Sequence, residues 1–283
     1  MSFQCAWLLN NYPSEWLAAF LNKEPEGRKE KAINVVKNLG FKIQEVDINF
    51  SGRSWEVAES GSLVQPLTSI KGLGDRAMDQ IIEHRPFNSI EELIFNKEIS
   101  YSKLNKKSLD VLVRSGACDS ITDDRFKNCK HLWNSVVNDR PKNKKKFEEN
   151  LKKYASEPDF SEEEKINNVV ELTGIFPFEL VLDKKVKQRL DYLKVPPLGE
   201  FDEDLQVCWF IPREVIPKKT RNGKQFWIIN AIDETCQITN IKCWNVRSTD
   251  QVHLNRPYVS KLDYDSQWGF STRSVKHNFK LVG

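Results

Sequence analysis

The sequence predicts an α+β chain of several domains, helical to about residue 200 and strand-rich beyond. Three observations carry that expectation. Apolar residues recur at helical spacing near the start and again in short runs to about residue 200. From Leu205 the pattern changes to strand-like runs: Leu205 to Ile211, Gln225 to Ala231, Cys236 to Trp244, and a later one near Tyr258. Turn residues separate those runs. Arg221-Asn222-Gly223-Lys224 is the clearest hairpin signal, because Asn-Gly accepts φ > 0 at both turn positions.

The elements follow in order. Ser14, after Pro13, stands where an N-cap belongs, and Trp16, Leu17, Phe20 and Leu21 give the first helix its apolar stripe. A second helix is expected from Glu26 to Leu39, with Ala32, Ile33, Val36 and Leu39 on one face and Gly40 ending it. Phe41 to Phe50 alternates like a short strand before the turn at Ser51-Gly52. Short helices fill 64–140. The charged segment 141–165 reads as a linker or exposed helix, and 166–200 as a helix or two ending at Pro196-Pro197. The expected domains are therefore 1–63, 64–140, a connection at 141–203, and a strand-rich domain at 204–283 with the dimensions of a small barrel or sandwich.

Composition narrows the function. No apolar run reaches the roughly 18 residues that span a bilayer, and the N-terminal residues lack the pattern of a secretory signal. A cytoplasmic protein is expected. The six cysteines, Cys5, Cys118, Cys129, Cys208, Cys236 and Cys243, form no C-x-x-C pair, and the four histidines are scattered, so reduced buried thiols are expected rather than a zinc site. Net charge is +3, but from Glu203 onward twelve Lys or Arg face eight Asp or Glu. Such clustering suits a polyanion, although a solvated helix face explains part of it.

The sharpest local signal runs from Pro66 to Ile82. It reads as helix, tight Gly-x-Gly turn, helix, with Ile70, Leu73, Ala77, Ile81 and Ile82 packed inward. Gly72 and Gly74 relieve the turn and let backbone N–H groups at the next helix start approach an anion, where the helix dipole adds attraction. Lys71 and Arg76 add charge, and Leu73 and Asp75 complete the candidate DNA-contacting stretch Lys71, Gly72, Leu73, Gly74, Asp75, Arg76. These residues resemble the helix-hairpin-helix motif, which holds a DNA backbone phosphate without reading sequence. An ordinary αα-hairpin with a glycine turn is the plainer alternative. A weaker unit follows at Leu104 to Ala117, where Asn105 caps a helix with Leu109, Leu112 and Val113 inside and Gly116 closing it. In the tail, Lys218, Lys219, Arg221 and Lys224 surround the hairpin beside Trp209, Phe226, Trp227 and Trp244. Stacking platforms and cations are what a single strand needs, though alternation sends about half of those aromatics to the core.

No catalytic constellation emerges. Metal-dependent nucleotidyl transfer needs two or three converging carboxylates. Pro158-Asp159-Phe160-Ser161 lacks a second aspartate, and capping accounts for Asp123-Asp124. Gln188 to Leu193 is loosely like a sliding-clamp peptide but reads better as an amphipathic helix.

Five stretches together resemble the C-terminal part of the alpha subunit of bacterial DNA polymerase III, the C-family replicative polymerase. They are Phe3 to Leu8 with Tyr12 to Leu21, Val46 to Ser51, Ser69 to Gly74 with Pro86 to Leu93, Leu104 to Ser120, and Leu172 to Phe178. The resemblance is close from 1 to about 120 and rests afterwards on order and pattern. It implies that 1–63 is the end of the polymerase fingers, 64–140 the helix-hairpin-helix region and 204–283 an OB-like domain. It implies duplex contact by the hairpin around Gly72 and Gly74, and template-strand contact by the tail. Family members are several times longer, and their PHP domain, catalytic palm and thumb have no counterpart here. No catalytic residue carries over, and the family's Mg belongs to the palm, so no cofactor is expected in this chain. The implied partners are DNA, duplex and single-stranded, and a separate catalytic polymerase polypeptide, with a sliding clamp as a further candidate. The alternative is a free-standing DNA-binding protein of replication or repair that does not recognise sequence.

Overall fold

Three helices lie at the start of the chain: α1 (Phe3–Asn11), α2 (Pro13–Lys23) and α3 (Glu26–Asn38). The structure, a computed structural model, describes residues 3–235 and 238–282, and it divides after Phe176 into two compact units. Cys236 lies outside the described residues. Proline fits the first helical turn because its ring presets φ and the missing N–H is unneeded there. Pro13 therefore starts α2, Tyr12 is the N-cap, and Ser14 sits inside the helix, donating its hydroxyl to Gly61 O at 2.9 Å. The capping role expected of Ser14 is corrected accordingly.

In the first unit, Leu17 and Leu21 from α2 and Ala32, Ile33 and Val36 from α3 pack with Trp55 and Leu63. Helix α3 stops at Asn38, so Leu39 becomes its C-cap and stays exposed instead of joining that face. Gly40 follows with φ +85°, the left-handed conformation that ends a helix. The expected strand over 41–50 shrinks to β1 (Ile43–Gln44), because Asp47 Oδ1 accepts the N–H groups of Asn49 at 2.7 Å and Phe50 at 3.2 Å and folds the chain into a turn. Strand β1 pairs parallel with β3 (Leu63–Val64), which pairs antiparallel with β2 (Glu56–Val57).

A second core in this unit gathers α4 (Asp75–His84), α5 (Ile90–Phe95), α6 (Lys106–Arg114), α7 (Cys129–Trp133), α8 (Lys144–Tyr154) and α9 (Glu162–Thr173). Asn105 caps α6 as expected, accepting from Ser108 N–H at 3.0 Å. Helix α8 departs from the exposed linker that its charge suggests. Phe147, Leu151 and Tyr154 recur at i, i+4 and i+7, and that stripe is buried while the lysines face outward. Asp110 of α6 ties this core together. Its carboxylate accepts Arg114 Nη2 at 2.7 Å and Trp133 Nε1 at 2.8 Å, and Arg114 Nη1 donates on to Asn168 of α9 at 3.1 Å. Burial alone would raise the Asp110 pKa, yet the hydrogen bonds from Arg114 and Trp133 hold it below the ordinary carboxylate range.

The second unit begins with α10 (Phe178–Val181) and α11 (Lys184–Leu193). Its sheet comprises β4 (Val207–Lys219), β5 (Gln225–Ile232), β6 (Thr239–Cys243), β7 (Tyr258–Lys261), β8 (Asp263–Asp265), β9 (Gly269–Thr272) and, after α12 (Val275–Asn278), β10 (Phe279–Leu281). The order is β10-β7-β4-β5-β6-β9-β8, with only β6 and β9 parallel. The long β4 is shared between the two halves of this curled sheet, giving the half-barrel form of an OB-like domain. The α+β class expected from the sequence holds. Cys208, Phe210, Ile229, Ala231, Ile241, Cys243, Tyr258 and Phe279 fill its interior. A β-bulge between Pro212 and Glu214 shifts the phase of β4, so that Val215 rather than an even-numbered residue faces the core beyond it. The break after Phe176 falls inside the 141–203 stretch that the sequence reads as a connection.

Candidate nucleic-acid interface

The hairpin at 66–82 is built from a short 3-10 turn, Leu67–Ser69, a bend through Gly72, and α4. The first arm is therefore one turn long rather than the full helix the sequence suggests. Ile70 and Leu73 are buried and anchor the bend. Gly72 adopts φ +89°, a region costly for residues with a Cβ, and a Cβ there would lie 3.5 Å from Val111 Cγ1 and 3.6 Å from Lys107 Cε. The bend is thus seated on α6. Val111, absent from the expected apolar face of α6, is buried for that reason.

Gly74 differs. It is the N-cap of α4 at φ −81° and ψ 153°, without a side-chain cap, and an added Cβ would meet nothing within 4 Å. Neither backbone strain nor packing requires glycine at this position, which leaves the helix start open to an approaching group. Among the described residues no acceptor takes the N–H groups of Gly74, Asp75 or Arg76, whereas Lys71 N–H is committed to Leu172 O at 2.8 Å. Two or three amides at the positive end of a helix dipole are suited to an anion.

The surrounding charge is mixed. Lys71 and Arg76 are exposed, with no ion pair among the described residues, and Lys107 stands beside Gly72. Asp75 points the other way electrostatically, but Arg53 answers it: Nη1 reaches Asp75 Oδ1 at 3.2 Å and Nη2 the Asp75 carbonyl at 3.1 Å, with Asp79 as a further partner. Arg53 and Lys107 were not expected as site residues. No spacing rule links Arg53 to a carboxylate 22 positions away, and the segment holding Lys107 gives a signal that core packing explains as well as DNA contact does.

In the second unit Lys218, Lys219, Arg221 and Lys224 are all exposed around the β4–β5 turn, with no ion pair among the described residues. The turn is longer than a two-residue type I′ hairpin. Gly223 N–H donates to Thr220 O at 2.9 Å and Thr220 N–H to Lys224 O at 2.9 Å, and only Gly223, not Asn222, takes positive φ, +77°. The candidate aromatics separate cleanly. Trp209 is buried and Trp227 packs on the barrel core, so both are structural. Phe226 and Trp244 lie on the opposite face of the sheet, stacked with centroids 4.8 Å apart. The six-residue stretch Gln188 to Leu193 is part of α11, with Leu190 buried and Tyr192 exposed, as its amphipathic pattern suggests.

No three His, Cys, Asp or Glu side chains among the described residues are placed to hold a metal ion. Asp159 is paired with Lys165, and Ser161 and Glu164 form a capping box at the start of α9. No helix among the described residues is long and apolar enough to cross a membrane.

A hairpin with open amides in the first unit and an OB-like sheet in the second define the class. Residues 40–128 match the family described as the helix-hairpin-helix motif. Over about half to 73% of its residues the chain resembles the DNA polymerase III subunit alpha. It is 27% identical over 216 residues to that subunit from Buchnera aphidicola subsp. Acyrthosiphon pisum, covering 73% of this chain and 18% of the relative. It is 33% identical over 159 residues to the subunit from Borreliella burgdorferi, covering 53% and 13%. With the Pseudomonas fluorescens subunit it shares 31% over 124 residues, covering 43% and 11%. The resemblance to the C-terminal portion of alpha is borne out, and the 216-residue match extends past the first 120. The chain spans less than a fifth of the length of these relatives.

Proposed function

We propose that this chain is a DNA-holding part of a C-family replicative polymerase, with the catalytic palm supplied by another polypeptide. In this reading the start of α4 takes a phosphate of the duplex on the N–H groups of Gly74, Asp75 and Arg76, while Lys71, Arg76 and Lys107 add attraction. The OB-like unit holds the single-stranded template through Lys218, Lys219, Arg221 and Lys224. Work of this kind belongs in the cytoplasm, where replication occurs. The observation that carries the proposal is Gly74: open space and unpaired amides stand at the position that the helix-hairpin-helix resemblance assigns to phosphate.

The division of labour between the two units has its own test. Arg221→Glu combined with Lys224→Glu is expected to weaken single-strand binding more than duplex binding, because these side chains are exposed and their reversal leaves the sheet intact. Fluorescence anisotropy on the two substrates reads the difference. Equal losses on both would make the turn a general electrostatic patch and remove the template-strand role.

A further inference from the structure

The outer face of the OB-like sheet carries a row of side chains whose order no sequence pattern announces. The β-bulge between Pro212 and Glu214 turns the far half of β4, so Lys218 faces outward and pairs across the strands with Phe226 of β5. Trp227, Cys243 and Ile241 point into the core, which places Phe226, Trp244 and Lys242 on the outer face. Phe226 and Trp244 stack at 26°. One step farther, Lys242 reaches over the tip of the β8–β9 hairpin: its Nζ donates to Trp268 O at 2.9 Å and stands 5.1 Å from the Trp268 ring. Trp268 remains 65% exposed even so. Its tip is held by Asp265 Oδ1, which accepts the N–H groups of Gln267 and Trp268 at 2.9 Å each. An exposed indole with Lys242 against its ring, on a backbone anchored at both its N–H and its carbonyl, loses little further freedom when a flat partner stacks on it.

We propose that this row is a single-strand binding track, running across β4, β5, β6 and the β8–β9 tip in the order Lys218, Phe226–Trp244, Lys242, Trp268. The proposal rests on the reading of the chain as a DNA-holding protein and adds which face is used and which residues stack. Crossing three interstrand gaps, the track is about 14 Å long, room for roughly four bases at the stacked rise. Bases lie on Trp244 and Trp268, and Lys218 and Lys242 answer the phosphates between them. A duplex offers no free base faces in its interior, so the track discriminates by strandedness. Acids lie on this face too: Asp263 pairs with Ser271, the cross-strand partner of Lys242. Asp265 accepts the Trp268 N–H at 2.9 Å and Glu214 the Asn230 side-chain amide at 2.8 Å, so the attraction to phosphate is local to Lys218 and Lys242.

The test uses the full chain, with labelled oligothymidylate and a labelled duplex at one salt concentration. Trp268→Ala and Trp244→Ala are each expected to weaken oligothymidylate binding about tenfold, the scale of one lost stacking contact, and to leave duplex binding unchanged. Trp268 is exposed, so its substitution does not threaten the fold. Lys242→Met keeps the aliphatic stem over the indole and removes the charge, and it is expected to lower the salt dependence of single-strand binding. Unchanged oligothymidylate affinity in both tryptophan variants overturns the track while the duplex reading stands, and so does a wild-type chain that binds duplex alone. Equal losses on both substrates also overturn it. Failure of the wild-type chain on both substrates overturns the parent reading as well.

Discussion

Gly74→Asp is expected to weaken duplex binding at least tenfold while leaving the thermal midpoint unchanged or slightly raised. Asp is a better N-cap than Gly by a few tenths of a kcal/mol, because its carboxylate accepts an N–H of the first turn. At Gly74 that carboxylate enters open space with no backbone strain, so the fold gains. The same oxygen occupies the amides assigned to phosphate and adds a negative charge. Hydrogen bonds to a charged group contribute about 1.5–3 kcal/mol each, and about 1.4 kcal/mol is tenfold in affinity. Gly72→Val is the informative contrast. At φ +89° it carries a backbone cost of roughly 1–2 kcal/mol and presses on Val111, so its binding loss comes with a lower midpoint. Lys71→Ala and Arg76→Ala are expected to cost on the order of 1 kcal/mol each in duplex binding. A folded Gly74→Asp protein with wild-type duplex affinity contradicts the assignment of the hairpin.

The second large effect concerns chemistry. The purified chain is expected to extend no primer, and co-expression with a palm-containing polymerase polypeptide is expected to give a stable complex that does. No carboxylate trio among the described residues suits metal ions. Helix α1 also buries none of its residues, leaving Phe3 84% and Trp7 49% exposed beside Leu8 and Tyr12. A contiguous apolar surface of this kind marks an interface. Trp7→Glu should therefore weaken the complex without unfolding the chain. Primer extension by the chain alone contradicts the division of labour. A chain that ignores the palm polypeptide favours the free-standing DNA-binding protein instead.

Much of this was legible in the sequence where the signal is local. Gly40, Gly72, Gly116 and Gly223 all take positive φ, as their turn positions suggest, and Asn105 caps its helix through Ser108. The starts of β4, β5, β6 and β7 fall within a few residues of the expected strand runs, since one buried face enforces a period of two, whereas the short β8, β9 and β10 gave no run to read. Some failures were local: Pro13 at the first helical position moved the cap from Ser14 back to Tyr12, and Leu39 left its face when α3 ended one residue early. The others depended on masked patterns or distant partners. Phe147, Leu151 and Tyr154 hide in a lysine-rich segment whose average composition masks their stripe. The Arg53 bridge to Asp75 and the Lys242 contact with Trp268 join residues 22 and 26 positions apart, and the bulge that turns Lys218 outward is marked in the sequence only by Pro212 within the strand run.

The central claim, that this chain grips the DNA backbone, is tested most directly by measuring the duplex affinity of the full chain over a range of salt concentrations on two unrelated sequences. Each phosphate contact contributes about −0.9 to the slope of log affinity against log salt. The account predicts a steep slope reflecting several contacts, the same for both sequences. A flat salt dependence, or a clear preference for one sequence, would contradict it.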